Sequence, residues 1–144
     1  MNYLFMPLMT IMGLGYAPFF PGTLASFIGM IVWWFIPNIF FIQVSLIALV
    51  ILISILLLKN NELESKDPSY IVIDELIGIW ISLLMVPKEV DFFLIGFFIF
   101  RFFDIFKPSI IYNIQFINYP YDIIMDDIVA AIFTLIIIAS MILL

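Results

Sequence analysis

The chain has 144 residues, 66% of them hydrophobic and only 11% charged, with a mean hydropathy of +1.29, whereas an ordinary soluble domain carries about 25% charged residues. One soluble core of this size cannot hide so much apolar surface, so lipid must act as the remaining solvent. A net charge of -6 excludes a basic nucleic-acid footprint, and the absence of Cys and His excludes thiolate nucleophiles, Ser-His-Asp triads, phosphohistidine and Cys or His metal sites.

Met1 to Met12 is apolar but too short to cross a hydrocarbon core of roughly 30 Å, and it lacks the basic start and cleavage site of a signal peptide. It is expected to remain as an interfacial or re-entrant segment. A Gly- and Pro-rich loop leads into Thr23 to Ile36, which ends at the Pro37-Asn38 turn. Ile39 to Leu58 is a clear span, interrupted only by Gln43, Ser45 and Ser54. After the polar loop Lys59 to Asp67, the pair Asp67-Pro68 predicts a helix start, a carboxylate N-cap followed by Pro at N1. The helix expected from Pro68 to Val86 is roughly 28 Å long. Phe92 to Phe106, a loop from Lys107 to Asp122, and a final span from Ile128 to Leu144, extended at its front by Met125 to Asp127, complete the chain. No linker, repeat or low-complexity tract divides it, so residues 1-144 read as a single domain. The expected fold is all-α: a polytopic membrane helical bundle of about five transmembrane helices plus the short N-terminal segment. Five crossings place Lys59, Lys66, Arg101 and Lys107 on one side and Lys88 on the other, and the positive-inside rule makes the first side cytoplasmic.

Under that topology the motif-like polar residues share one face. They are the loop from Gly13 to Thr23 with Ser26, then Asp67, Asp74 and Glu75, then Arg101, Asp104 and Lys107, then Asp122, Asp126 and Asp127. The opposite face offers only Asn38, Lys88, Glu89 and Asp91. An ionisable side chain inside a membrane helix costs about 2.5–3.5 kcal/mol on insertion scales, and so many acids repel one another unless a cation sits among them or some hold protons. Asp67, Ile71, Asp74 and Gly78 share a helical stripe, on which Gly78 lets another helix approach closely. Arg101, Asp104 and Lys107 form a cation, anion, cation ladder at i, i+3, i+6, and Ala130, Ala131 and Thr134 follow the Asp126-Asp127 pair as a small-residue stripe. Several of these residues also have plain structural readings: Asp67 and Asp122 as helix caps, Arg101 with Asp104 as an ion pair, Gly13 to Gly22 as a turn-rich entry, and Trp33, Trp34 and Trp80 as interfacial anchors or core. The pairs Asp74-Glu75 and Asp126-Asp127, in two different helices at matching depth, resist such readings best. With only oxygen donors on offer, a hard divalent ion such as Mg²⁺ is the fitting guest.

Four stretches, in order, resemble the signatures of the phosphatidylglycerophosphatase A family, small integral membrane lipid phosphatases of bacteria. They are Gly13-Leu-Gly-Tyr-Ala-Pro-Phe-Phe-Pro-Gly-Thr-Leu-Ala-Ser26, Asp67-Pro-Ser-Tyr-Ile-Val-Ile-Asp-Glu-Leu-Ile-Gly78, Phe100-Arg-Phe-Phe-Asp-Ile-Phe-Lys-Pro108 and Met125-Asp-Asp-Ile-Val-Ala130. Phe19, Ala25, Ile110 and Ala131 depart from the family pattern, while every acidic and cationic motif residue is retained. The resemblance implies Mg²⁺-dependent hydrolysis of phosphatidylglycerophosphate to phosphatidylglycerol and inorganic phosphate, at the cytoplasmic side of the bacterial inner membrane. On that basis Asp74, Glu75, Asp126 and Asp127 are expected to hold metal and, with Asp104, to form the catalytic group. Arg101 and Lys107 are expected to clamp the phosphate, which Gly22, Thr23 and Ser26 seat at a helix N-terminus. Metal-activated water is favoured as nucleophile over an aspartyl-phosphate intermediate, a choice the sequence leaves open; the Asp-x-Asp loop of soluble aspartate phosphatases is missing. No protein partner is expected beyond the phospholipid substrate. Two other readings compete. A small cation or proton carrier would need polar residues at both ends and near the midplane, and a CDP-alcohol type lipid-headgroup transferase would need an Asp-Gly-x-x-Ala-Arg signature that is missing.

Overall fold

The computed structural model describes residues 5–60, 68–108 and 121–143, so the expectations placed on Lys66, Asp67 and Ile110 lie outside the described residues. The described chain is all-α. Its helices are α1 (Phe5–Met9), α2 (Pro21–Phe35), α3 (Phe40–Lys59), α4 (Ile73–Ser82), α5 (Val90–Phe106) and α6 (Tyr121–Leu143), with a 3-10 turn at Leu14–Tyr16.

The apolar residues are arranged for lipid. α3 and α6 are each long and apolar enough to cross a membrane, and α3 is inside out by the standards of a soluble protein. Its buried stripe is Gln43, Ile47, Ser54 and Leu58, while Leu49, Leu52, Ile53 and Leu56 are exposed. Phe98, Phe102, Ile105 and Phe106 likewise project outward from α5. Such continuous exposed apolar faces on a helical bundle mark a membrane protein. The polar groups that α3 turns inward are spent on structure. The Gln43 side chain donates to Asn38 Oδ1 at 3.1 Å and accepts from the backbone N–H of Met85 at 3.0 Å, and the Ser54 hydroxyl donates to the Val50 carbonyl at 2.8 Å.

α4 is the hub. Eight of its ten residues are buried, and it packs against α2, α3, α5 and α6. The close approach to α5 and α6 depends on Gly78, where a Cβ would lie 2.4 Å from the Phe100 ring and 3.4 Å from Asp127 Cβ, as its place on the carboxylate stripe predicts. On the α2 side, the Trp80 indole N–H donates to the Gly29 carbonyl and that of Trp33 to the Leu83 carbonyl, both at 3.0 Å, and the two indoles stack at 5.3 Å. These two tryptophans are therefore core residues.

The main departure from expectation is the length of α4. The helix begins at Ile73, five residues after Pro68, and ends at Ser82, so its rise is about 15 Å, half of a hydrocarbon core. Tertiary bonds override the Asp-Pro start signal. Pro68 to Ile71 form a turn closed by Ile71 N–H to Pro68 C=O at 2.9 Å, and Val72 N–H donates to Met9 C=O at the end of α1. The Tyr70 carbonyl sits so close to Gly15 that any Cβ there would lie 1.9 Å from it. The short N-terminal helix thus does not span; it buries Phe5 and Met9 and braces the segment that leads into α4.

Candidate active site

Shortening α4 has a chemical consequence. Asp74 and Glu75 now fall in its first turn, where the exposed amide dipoles favour negative charge by about 0.3–1 kcal/mol. The other functional side chains come from the same end of the bundle: Gly22, Thr23 and Ser26 from the first turns of α2, Arg101, Asp104 and Lys107 from the last two turns and cap of α5, and Asp122, Asp126 and Asp127 from the first turns of α6. All four sequence motifs therefore converge.

Asp74, Glu75 and Asp127 form the heart of the site. One carboxylate oxygen from each can be chosen so that all lie within 4.8 Å of one another. Asp74 and Asp127 are buried, and Glu75 is half-buried. Asp74 Oδ1, Glu75 Oε2 and Asp127 Oδ2 are shielded from solvent and have no hydrogen-bond partner. Carboxylate oxygens concentrated and desolvated in this way repel one another and lack the donors that buried acceptors require. Hard oxygen donors at this spacing, drawn from two helices, fit a Mg²⁺-like ion.

The remaining acids are paired. Asp104 accepts an ion-pairing hydrogen bond from Arg101 Nη1, one turn earlier on α5, and lies near Asp127 and Glu75. Asp126, adjacent to Asp127, is engaged by partners of its own. Its Oδ2 accepts from Lys107 Nζ at 2.6 Å, and its Oδ1 accepts from the backbone N–H of Asp127 at 3.1 Å. The three-carboxylate group therefore contains three of the four expected metal ligands, and Asp126 is the one it leaves out.

Lys107 reaches Asp126 from an unusual backbone position. It caps α5 at φ 40 and ψ 69, in the left-handed region that glycine or asparagine normally occupies. Burial works against its charge, but the hydrogen bond to Asp126 and the carboxylates of Asp126, Asp127 and Asp104 outweigh that cost and raise its pKa above the usual lysine value. Arg101 also retains capacity: its Nη1 serves Asp104 and lies 3.4 Å from Ser26 Oγ, while its Nε is buried without a partner. The site thus offers a buried guanidinium donor suited to an anion next to buried carboxylate oxygens suited to a hard cation.

Ser26 is fully buried, and its hydroxyl donates to the Gly22 carbonyl at 2.9 Å. Thr23 is half-buried at the same helix start. Gly22 lies against Glu75, a contact that sequence spacing had no means of revealing because it joins residues 53 positions apart on α2 and α4. Asp122 is buried inside the first turn of α6, where its Oδ1 accepts from the N–H of Ile123, so it lies within the helix and not at the N-cap.

Comparison with known proteins agrees with the geometry. Residues 8–142 match the family model described as phosphatidylglycerophosphatase A. The chain is 34% identical over 137 residues to the "Putative phosphatidylinositol-3-phosphatase" of Bacteroides thetaiotaomicron, covering 88% of this chain and 86% of that protein. It is 30% identical to phosphatidylglycerophosphatase A of Escherichia coli K12, covering 83% of this chain and 73% of the relative, and 32% identical to that of Haemophilus influenzae, covering 82% and 76%. No solved structure matches. A carboxylate group beside an arginine, at one end of a helical membrane bundle, thus coincides with a match along nearly the whole sequence: the chain is a phosphatase of phospholipid metabolism and belongs to the phosphatidylglycerophosphatase A family.

Proposed function

We propose that the chain hydrolyses the terminal phosphate monoester of phosphatidylglycerophosphate, yielding phosphatidylglycerol and inorganic phosphate, with Mg²⁺ held by Asp74, Glu75 and Asp127. The observation that carries this reading is the set of buried, unpartnered oxygens on these three residues, next to the unpartnered Nε of Arg101. When bound, the ion supplies positive charge opposite the phosphoryl oxygens and acidifies water.

The chain's own residues do the rest. Arg101 offers Nε to a phosphoryl oxygen while Asp104 and Ser26 hold its Nη1, so the guanidinium is oriented before substrate arrives. Lys107, positioned by Asp126, adds a point charge on the far side. A carboxylate of the group accepts the proton of the attacking water. The water oxygen bonds to phosphorus as the bond from phosphorus to the glycerol oxygen breaks, and the departing alkoxide takes up a proton. Thr23, with the hydroxyl of Ser26, lines the α2 entrance to the phosphate.

The site faces the cytoplasm in a bundle of about five crossings. Supporting this, Lys59 lies over the Tyr121 ring at 5.1 Å, at the site end of the bundle, whereas Lys88 donates to the Trp34 carbonyl near the far end of α2. The carrier reading is weakened because Gln43 and Ser54, the buried polar groups of α3, are engaged within the fold. A second substrate is suggested by the Bacteroides thetaiotaomicron relative's printed name, because a 3-phosphate on an inositol lipid is also a membrane-anchored phosphate monoester. The test is phosphate release by the purified chain in mixed micelles. Release from phosphatidylglycerophosphate well above that from phosphatidylinositol 3-phosphate supports the proposal; the reverse order, or CMP release from a CDP-lipid without phosphate release, contradicts it.

A further inference from the structure

Gly22 occupies the second position of α2 with no backbone need to be glycine. Among the described glycines only Gly13 has a left-handed φ, and within a helix Ala is preferred over Gly. Gly22 is buried, and it faces Glu75: a Cβ built on Gly22 would lie 2.1 Å from Oε1, 2.9 Å from Cδ and 3.3 Å from Cγ of that side chain. The atoms it would strike belong to the far end of a flexible side chain. The fold could therefore admit the extra methyl by swinging the Glu75 carboxylate aside, and the damage would fall on the site.

We propose that Gly22 is a positioning residue for the carboxylate group: its missing side chain is the seat in which the Glu75 carboxylate rests, facing Asp74 and Asp127. Gly22 then acts on the cation through Glu75, and its contribution does not depend on presenting a backbone amide to phosphate. The inference rests on the proposed reading of Asp74, Glu75 and Asp127 as holders of a divalent ion. It also explains why α2 can pack its first turn against α4 at the level of the acids, with the Gly22 carbonyl holding Ser26 and Ser26 lying against Arg101.

The test is a double-mutant cycle of Gly22→Ala and Glu75→Ala in the full chain in detergent, read by Mn²⁺ binding (electron paramagnetic resonance of free Mn²⁺) and by melting temperature in EDTA. Gly22→Ala alone is expected to weaken Mn²⁺ binding by about tenfold or more, as losses of ligand support commonly do, and to add nothing once Glu75 is Ala. In EDTA, Gly22→Ala should raise the melting temperature in the Glu75→Ala background, where only helix preference operates, and fail to raise it when Glu75 is present. Wild-type Mn²⁺ affinity in Gly22→Ala, or effects on binding and melting that simply add, would overturn the proposal. If the wild-type chain binds no Mn²⁺, the metal reading fails while the melting cycle in EDTA still decides whether Gly22 seats Glu75.

Discussion

Replacing Asp127 with Asn should make the metal-free protein more stable while removing its response to Mg²⁺. The carboxylate oxygens of Asp74, Glu75 and Asp127 come within 4.8 Å of one another, and two unit charges at that separation repel by about 3.5 kcal/mol at an effective dielectric of 20. Asn keeps the shape, deletes one charge and provides N–H donors to carboxylates that Asp127 could only repel. Allowing for redistribution of charge among the acids that remain, a net gain on the order of 1–3 kcal/mol is expected, equivalent to a rise of roughly 3–10 °C in melting temperature. Wild type should behave in the opposite sense when Mg²⁺ is added, gaining about 2.7 kcal/mol at a concentration one hundred times the dissociation constant. Thermal unfolding in detergent, followed by tryptophan fluorescence in EDTA and in Mg²⁺, reads both terms. Melting of Asp127→Asn below wild type in EDTA, or a wild-type shift with Mg²⁺ in that variant, would refute mutual repulsion and shared ion binding at these carboxylates.

Other consequences can be measured independently. Lys107→Gly should be more stable than Lys107→Ala by about 1 kcal/mol, because both lose the bond to Asp126 and only Gly relieves the left-handed cap of α5; equal unfolding midpoints would contradict this. Arg101→Lys cannot keep Asp104, Ser26 and an anion on one rigid fork, so kcat/KM should fall roughly thirtyfold, about 2 kcal/mol, in a phosphate-release assay. Gly78→Ala pushes a methyl into the Phe100 ring and should destabilise the bundle by about 1–3 kcal/mol, visible as a lower melting temperature. The chain contains no Cys, so Asn60→Cys and Lys88→Cys can each be labelled alone in sealed vesicles; the five-crossing topology predicts labelling from opposite sides, and labelling from the same side would show that α4 does not cross.

Much of the site was legible because its chemistry is costly in a membrane. Charged residues are few in this sequence, so spacing and the charge bias of the loops were enough to bring the four motifs to one end of the bundle. Element identity was also readable for α3 and α6, from their length and apolarity. Boundaries set by distant backbone contacts were not readable. The start of α4 is fixed by the Val72 bond to Met9 of α1 and the close approach of Tyr70 to Gly15 in the following loop, which overrule a local Asp-Pro signal. Side-chain direction was equally hidden: Asp126 and Asp127 are adjacent letters, yet one pairs with Lys107 and the other with Asp74 and Glu75. The contact of Gly22 with Glu75 was hidden as well, because it is defined only by the packing of α2 on α4.

The central claim is that Asp74, Glu75 and Asp127 together hold the divalent ion on which phosphate removal depends. It is tested most directly by phosphate release from phosphatidylglycerophosphate in proteoliposomes, titrated with Mg²⁺, for wild type and Asp74→Asn. The account predicts saturable Mg²⁺-dependent release by wild type, none in EDTA, and loss of at least about a hundredfold in Asp74→Asn. Release undiminished in EDTA, or near-wild-type activity in Asp74→Asn, would contradict it.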